Sequence, residues 1–125
     1  MNLDKVISGF FIILAMTINF GFFYGDMHSL EAHNKYELFA AIVINIIATT
    51  LKLGDKTQMG SVLLATSLVA DIQLIVAAII WTVAAYVYVV DAEIIGIIVS
   101  LSGGALLANI VSVSLYVGDT LKSKR

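Results

Sequence analysis

Four long stretches of this chain carry almost no charge: residues 6–24, 38–51, 59–90 (broken only by Asp71) and 94–117. In lipid, a backbone must satisfy its own hydrogen bonds, and only helices and closed barrels do so. Barrel strands alternate apolar with polar residues. Here the apolar residues run on through consecutive positions, so each stretch is predicted to be a helix. Of the 125 residues, 60% are hydrophobic and 13% charged, against roughly 45–50% and about 25% in soluble domains. So few charged side chains cannot cover a soluble domain of this size. The expected fold class is all-α: a single integral membrane domain over 1–125, with four transmembrane helices at about 6–24, 36–52, 59–90 and 93–117.

Crossing a bilayer takes about 20 residues. The first and last stretches reach that length. The second does so if Tyr36 and Glu37 lie among the headgroups and Lys52 snorkels at the other end. The third is long enough, at about 48 Å as one helix, that it must tilt, protrude or break. No Ala-x-Ala site follows the first stretch, which is also longer than the core of a signal peptide, so it is expected to remain as an anchor.

A re-entrant hairpin over 38–70 competes with four full crossings, and the basic residues decide between them. With four crossings Lys5, Lys52, Lys56, Lys122, Lys124 and Arg125 share one side, and only Lys35 lies on the other. Both termini are therefore expected in the cytoplasm. Tyr24, Tyr36, Tyr86 and Tyr88 then fall at the outer boundary and Tyr116 at the inner one, where such rings prefer to lie.

Several functions are disfavoured by composition. The chain has no cysteine for disulfides or zinc thiolates, and its net charge of -2 argues against nucleic acid as a partner. No nucleophile, base and orienter occur together and no nucleotide or cofactor motif is present, so neither an enzyme nor a cofactor is expected.

The expected outer mouth is acidic, with Asp26, Glu31, Glu37, Asp91 and Glu93 against Lys35: either acidic residues simply avoid the cytoplasmic side, or rings of them around an oligomer's entrance concentrate cations. His28 and His33 share the first outer loop at a spacing poor for one helical face, and a solvated, pH-responsive loop is the simpler reading. Whether any metal binds is left open.

Each predicted helix carries one strongly polar residue, Asn19, Asn45, Asp71 and Asn109, with Gln73 as an extra. Counting about 1.5 Å per residue from the outer boundary puts Asp71 roughly 28 Å deep, Asn109 roughly 24 Å, and Thr49 and Thr50 about 20 Å. These four are expected to share a layer in the cytoplasmic half, with Asn19 and Asn45 nearer the outside. All six are candidates for an ion pathway. The alternative makes the amides interhelical glue and puts Asp71 at the headgroups.

Small residues mark the packing faces. Gly96, Ser100, Gly104, Ala108 and Ser112 recur every four residues on the last helix, Ala70, Ala77 and Ala84 every seven on the third, and Gly21 and Gly25 end the first. Three such faces exceed the needs of a lone bundle, so a homo-oligomer is expected. With no proline, any hinge is expected at Gly103 and Gly104 or near Gly60.

The loop Lys52-Leu-Gly-Asp-Lys-Thr-Gln58 resembles the manganese and calcium exporters marked by Glu-x-Gly-Asp-Lys-Thr in each of two repeats. In that family the acids of the motif bind the ion; Asp55 and Thr57 match the motif, and the resemblance implies ion binding at Asp55. Lys52, however, stands where that family has its first carboxylate, and only one copy is present. The small multidrug transporters are similar in length and helix count, but need a Glu in the first helix, where this chain has Asn19. The stretch from Tyr36-Glu-Leu-Phe-Ala-Ala to Leu68-Val-Ala-Asp-Ile-Gln73 resembles an uncharacterised family of small four-helix bacterial membrane proteins. That resemblance implies a multi-pass protein of the bacterial inner membrane and carries no activity with it. The expected function is a homo-oligomeric cation channel or permeation pathway, with the lipid bilayer, further copies of the chain and an inorganic cation as partners. A secondary cation transporter and a non-catalytic accessory subunit are the alternatives.

Overall fold

In the computed structural model, which describes residues 3–26, 35–53, 57–87 and 91–123, the apolar stretches form four helices: α1 (Leu3–Asp26), α2 (Lys35–Lys52), α3 (Gln58–Val87) and α4 (Ala92–Ser123). Two of them start at side chains that cap free backbone N–H groups. Thr57 Oγ1 accepts from Gly60 N at 3.0 Å, and Asp91 Oδ1 from Ile94 N at 3.0 Å. α4 runs past the expected end at 117, because the membrane boundary ends the apolar run and nothing there breaks the helix. Both α3 and α4 continue unbroken through Gly60, Gly103 and Gly104.

Each helix packs on two others, α1 on α2 and α4, and α3 on α2 and α4, which makes a four-cornered bundle with α2 and α4 on one diagonal. The two ends of the chain meet at one end of it. There Tyr116 donates to the Lys5 carbonyl at 2.6 Å, and a Cβ on Gly9 would sit 3.2 Å from the Tyr116 ring.

The packing reverses that of a soluble bundle. Large apolar side chains such as Phe10, Phe20, Phe39, Ile72, Ile79 and Leu107 point outward, while the interior is built largely of alanines, including Ala41, Ala70, Ala77 and Ala105, around Phe22, Leu38, Leu74 and Ile98. Ala70, Ala77 and Ala84 are all buried, so the seven-residue repeat faces the core. Three helices, Leu3–Tyr24, Gln58–Val87 and Ala92–Lys122, are long and apolar enough to cross a membrane. α2 carries Lys35, Glu37 and Lys52 within 18 residues and falls outside that group. An all-α architecture with membrane-type helices is thus established.

The small-residue ridge of α4 is used only in part. Gly104, Ala108 and Ser112 turn toward the bundle, Gly104 against the Gln73 side chain, whereas Gly96 and Ser100 are exposed and Gly96 has nothing within 4 Å of a Cβ. A step of four residues advances about 40° beyond one full turn, so a ridge of five such positions winds off the buried face.

Candidate ion-pathway site

The one carboxylate within α3 lies inside the bundle. Asp71 is 7% exposed, while its neighbour Ile72 is 60% exposed. Four residues N-terminal to Asp71, Ser67 shares its face of α3; on α2, Thr49 and Lys52 share a face three residues apart. The two antiparallel helices meet there in two rungs. Thr49 Oγ1 lies 2.6 Å from Asp71 Oδ2, and Lys52 Nζ donates to Ser67 Oγ. Lys52 also reaches along the bundle's diagonal to donate to Ser112 Oγ of α4 at 2.8 Å. Ser67, the partner of Lys52 on α3, and Asp71 lie about one helical turn apart, so an ionised Asp71 attracts the ammonium.

Lys52 overturns the snorkelling expectation. At the last residue of α2 its stem could have run outward to water, yet it is 7% exposed, because two hydroxyls hold the ammonium inside the bundle. Ser67 and Lys52 are the site residues that sequence reasoning missed. The signal was there, since Thr49 and Asp71 lie 14 and 16 residues from the far ends of α2 and α3 (Lys35 and Val87), and Lys52 and Ser67 lie 17 and 20 residues from them.

The hydroxyl of Thr49 makes two short contacts with acceptors, 2.6 Å to Asp71 Oδ2 and 2.8 Å to the Asn45 carbonyl. A hydroxyl has one proton to donate. Both contacts become hydrogen bonds only when Asp71 carries a proton on Oδ2, donating to Thr49 while Thr49 donates to Asn45. With Asp71 ionised, one of the two contacts lacks a proton. Asp71 Oδ1 has no hydrogen-bond partner, a vacancy that costs less on a neutral acid than on an anion.

Asn19 and Asn109 form a separate centre between α1 and α4. With its amide oriented to match donors to acceptors, Asn19 accepts from Leu106 N at 3.0 Å and from Asn109 Nδ2 at 3.1 Å, and donates to the Ser102 carbonyl at 3.2 Å. Ser102 O and Leu106 N lie on successive turns of α4, so the Asn19 side chain docks on the α4 backbone beside Gly103 and Gly104. Asn109 therefore partners Asn19, not the layer of Asp71. Counting depth from a common boundary went astray because α4 begins well before α1 closes on it, where Phe23 packs against Gly103.

The remaining candidates divide in the same way. Thr50 is exposed and bonds back to Ile46 O at 2.8 Å; it lies about 100° round α2 from Thr49. Asn45 is buried and bonds within α2, to the Ala41 carbonyl at 2.7 Å. Of the acidic mouth, Asp91 caps α4, Glu93 is exposed, and Glu37 is half-buried beside Gly21. Glu31, His28, His33 and Asp55 lie outside the described residues, as does the side-chain environment of Asp26. Thr57, the last residue of the exporter-like loop, caps α3. Among the described residues no group of three or more His, Cys, Asp or Glu is placed to hold a metal ion.

Residues 32–120 match a family of unknown function, DUF6394. The chain belongs to this family. The match takes in Thr49, Lys52, Ser67, Asp71 and Ser112, whereas Asn19 precedes it. No curated protein and no solved structure matches the chain.

Proposed function

We propose that this DUF6394 protein crosses the membrane four times with both ends in the cytoplasm, and moves a small cation through the interior of its bundle by way of Asp71. The observation that carries the reading is the shared proton of Thr49: the contacts around Asp71 are complete when the carboxyl is protonated, so the site suits a proton taken up and given back. Intramembrane carboxylates commonly mark such relays. For the second crossing, the support is that α2 spans about 27 Å between α1 and α3 with its charges only at its ends. The skew of Lys and Arg supports the cytoplasmic termini, and the resemblance to small bacterial proteins supports an inner-membrane location.

The site faces the inside of one bundle, so the pathway belongs to each subunit and not to an axis shared by several. Homo-oligomer assembly stays part of the proposal, with exposed Gly96 and Ser100 as the close-packing face. Burial of Asp71 favours a secondary transporter over a permanently open channel, since an ion reaches the carboxylate only as the helices part.

The test is flux in liposomes of the purified protein with a pH-sensitive dye inside. Wild type should dissipate an imposed proton gradient, Asp71→Asn should not, Thr49→Val should be slowed, and Ile72→Val on the lipid face should match wild type. No wild-type flux of protons or common inorganic cations would refute transport and favour an accessory subunit.

A further inference from the structure

Lysine is almost never fully buried without a charged partner, and the two atoms that hold the Lys52 ammonium, Ser67 Oγ and Ser112 Oγ, are neutral. They orient it without neutralising it. The acid whose charge, once ionised, acts on Lys52 is Asp71, and its oxygen without a hydrogen-bond partner is Oδ1. An ammonium has three donors, of which two go to the serines. The long stem, anchored at the last residue of α2, has the reach to carry the ammonium about one helical turn, from the serine pair to Oδ1.

We propose that Lys52 is a tethered cation of the Asp71 site: its ammonium holds the place of an inorganic monovalent cation beside the carboxylate, and the two compete for it. The proposal rests on the reading of Asp71 as an ion site. When Asp71 has released its proton and Lys52 is docked, the negative charge is compensated from within the protein and the interior holds no net charge. An entering cation reaches full coordination only as Lys52 withdraws to Ser67 and Ser112, which receive it there. The hydroxyls act as a parking position, and Lys52 is a positioning and competing group that is not itself transported. A rigid structural pair predicts no such exchange.

Thermal unfolding in detergent separates the two, with choline chloride as the large-cation control against lithium, sodium and potassium chloride. Lys52→Met keeps an unbranched side chain one atom shorter and removes its charge. It should unfold several degrees below wild type in choline and regain stability on addition of at least one alkali cation. The midpoint of that recovery should be at least about tenfold lower in concentration than any response of wild type, since a unit charge one turn away is removed. Lys52→Met combined with Asp71→Asn should be insensitive to the cation. Should Lys52→Met not fold, Lys52→Gln, which retains a donor for the serines, takes its place under the same expectations.

Indifference of the charge-removed variant to all three cations, or an equal response in the double variant, overturns the proposal. An Asp71-dependent response without any wild-type flux would refute transport and leave the tethered cation standing. Flux without the response would do the reverse.

Discussion

Replacing Asn19 with Ala removes the polar connection between α1 and α4. Three hydrogen bonds go with it, to Leu106 N, Asn109 Nδ2 and the Ser102 carbonyl. Hydrogen bonds between membrane helices average about 0.6 kcal/mol and reach about 1.7 kcal/mol, so three of them amount to about 2 kcal/mol. Asn109 is left without this partner. Asn45→Ala is the control: Asn45 is equally buried, but the bond it loses is to its own helix and should cost well under 1 kcal/mol. Reversible unfolding in mixed micelles measures both, and a double-mutant cycle of Asn19→Ala with Asn109→Ala isolates their shared bond. Equal destabilisation by Asn19→Ala and Asn45→Ala, or a cycle that closes with no coupling, would refute the assignment of Asn19 as the bridge.

Single cysteines at Ser29 and Ser123 should react with an impermeant thiol reagent from opposite sides of intact membranes; labelling from one side would defeat the four-crossing topology. Gly104→Leu should lower the melting temperature, because a Cβ there already meets the Gln73 side chain and a leucine must displace it from between α3 and α4; unchanged melting would refute close packing at this position. Gly96→Leu should leave subunit melting intact, since a Cβ there meets nothing within 4 Å. If the exposed part of the ridge joins subunits, the same variant should lower the mass seen by light scattering in detergent.

The helices were legible in the sequence because lipid imposes one rule on every position of a crossing: long uncharged runs predict the four elements to within a few residues at most ends. The shared level of Thr49 and Asp71 followed from depth counted from the outer boundary. Depth failed for Asn109, because α1 and α4 are distant in sequence and their relative height is set by packing such as that of Phe23 on Gly103. Thr50 beside Thr49 differed only in azimuth, which a run apolar on all faces does not reveal. Lys52 was misjudged for a more general reason. A lysine at a helix end has two low-cost solutions, outward to water or inward to a buried carboxylate, and the choice depends on the hydroxyls of Ser67 and Ser112 contributed by two other helices.

The central claim, that Asp71 takes up a proton inside the bundle, is most directly tested by infrared difference spectroscopy of the protein in lipid across a pH titration. A protonated-carboxyl band should be present in wild type, absent in Asp71→Asn, and shifted in Thr49→Val, whose side chain cannot accept the Asp71 proton. A spectrum in which no carboxylic-acid band depends on Asp71 at any pH where the protein stays folded would contradict it.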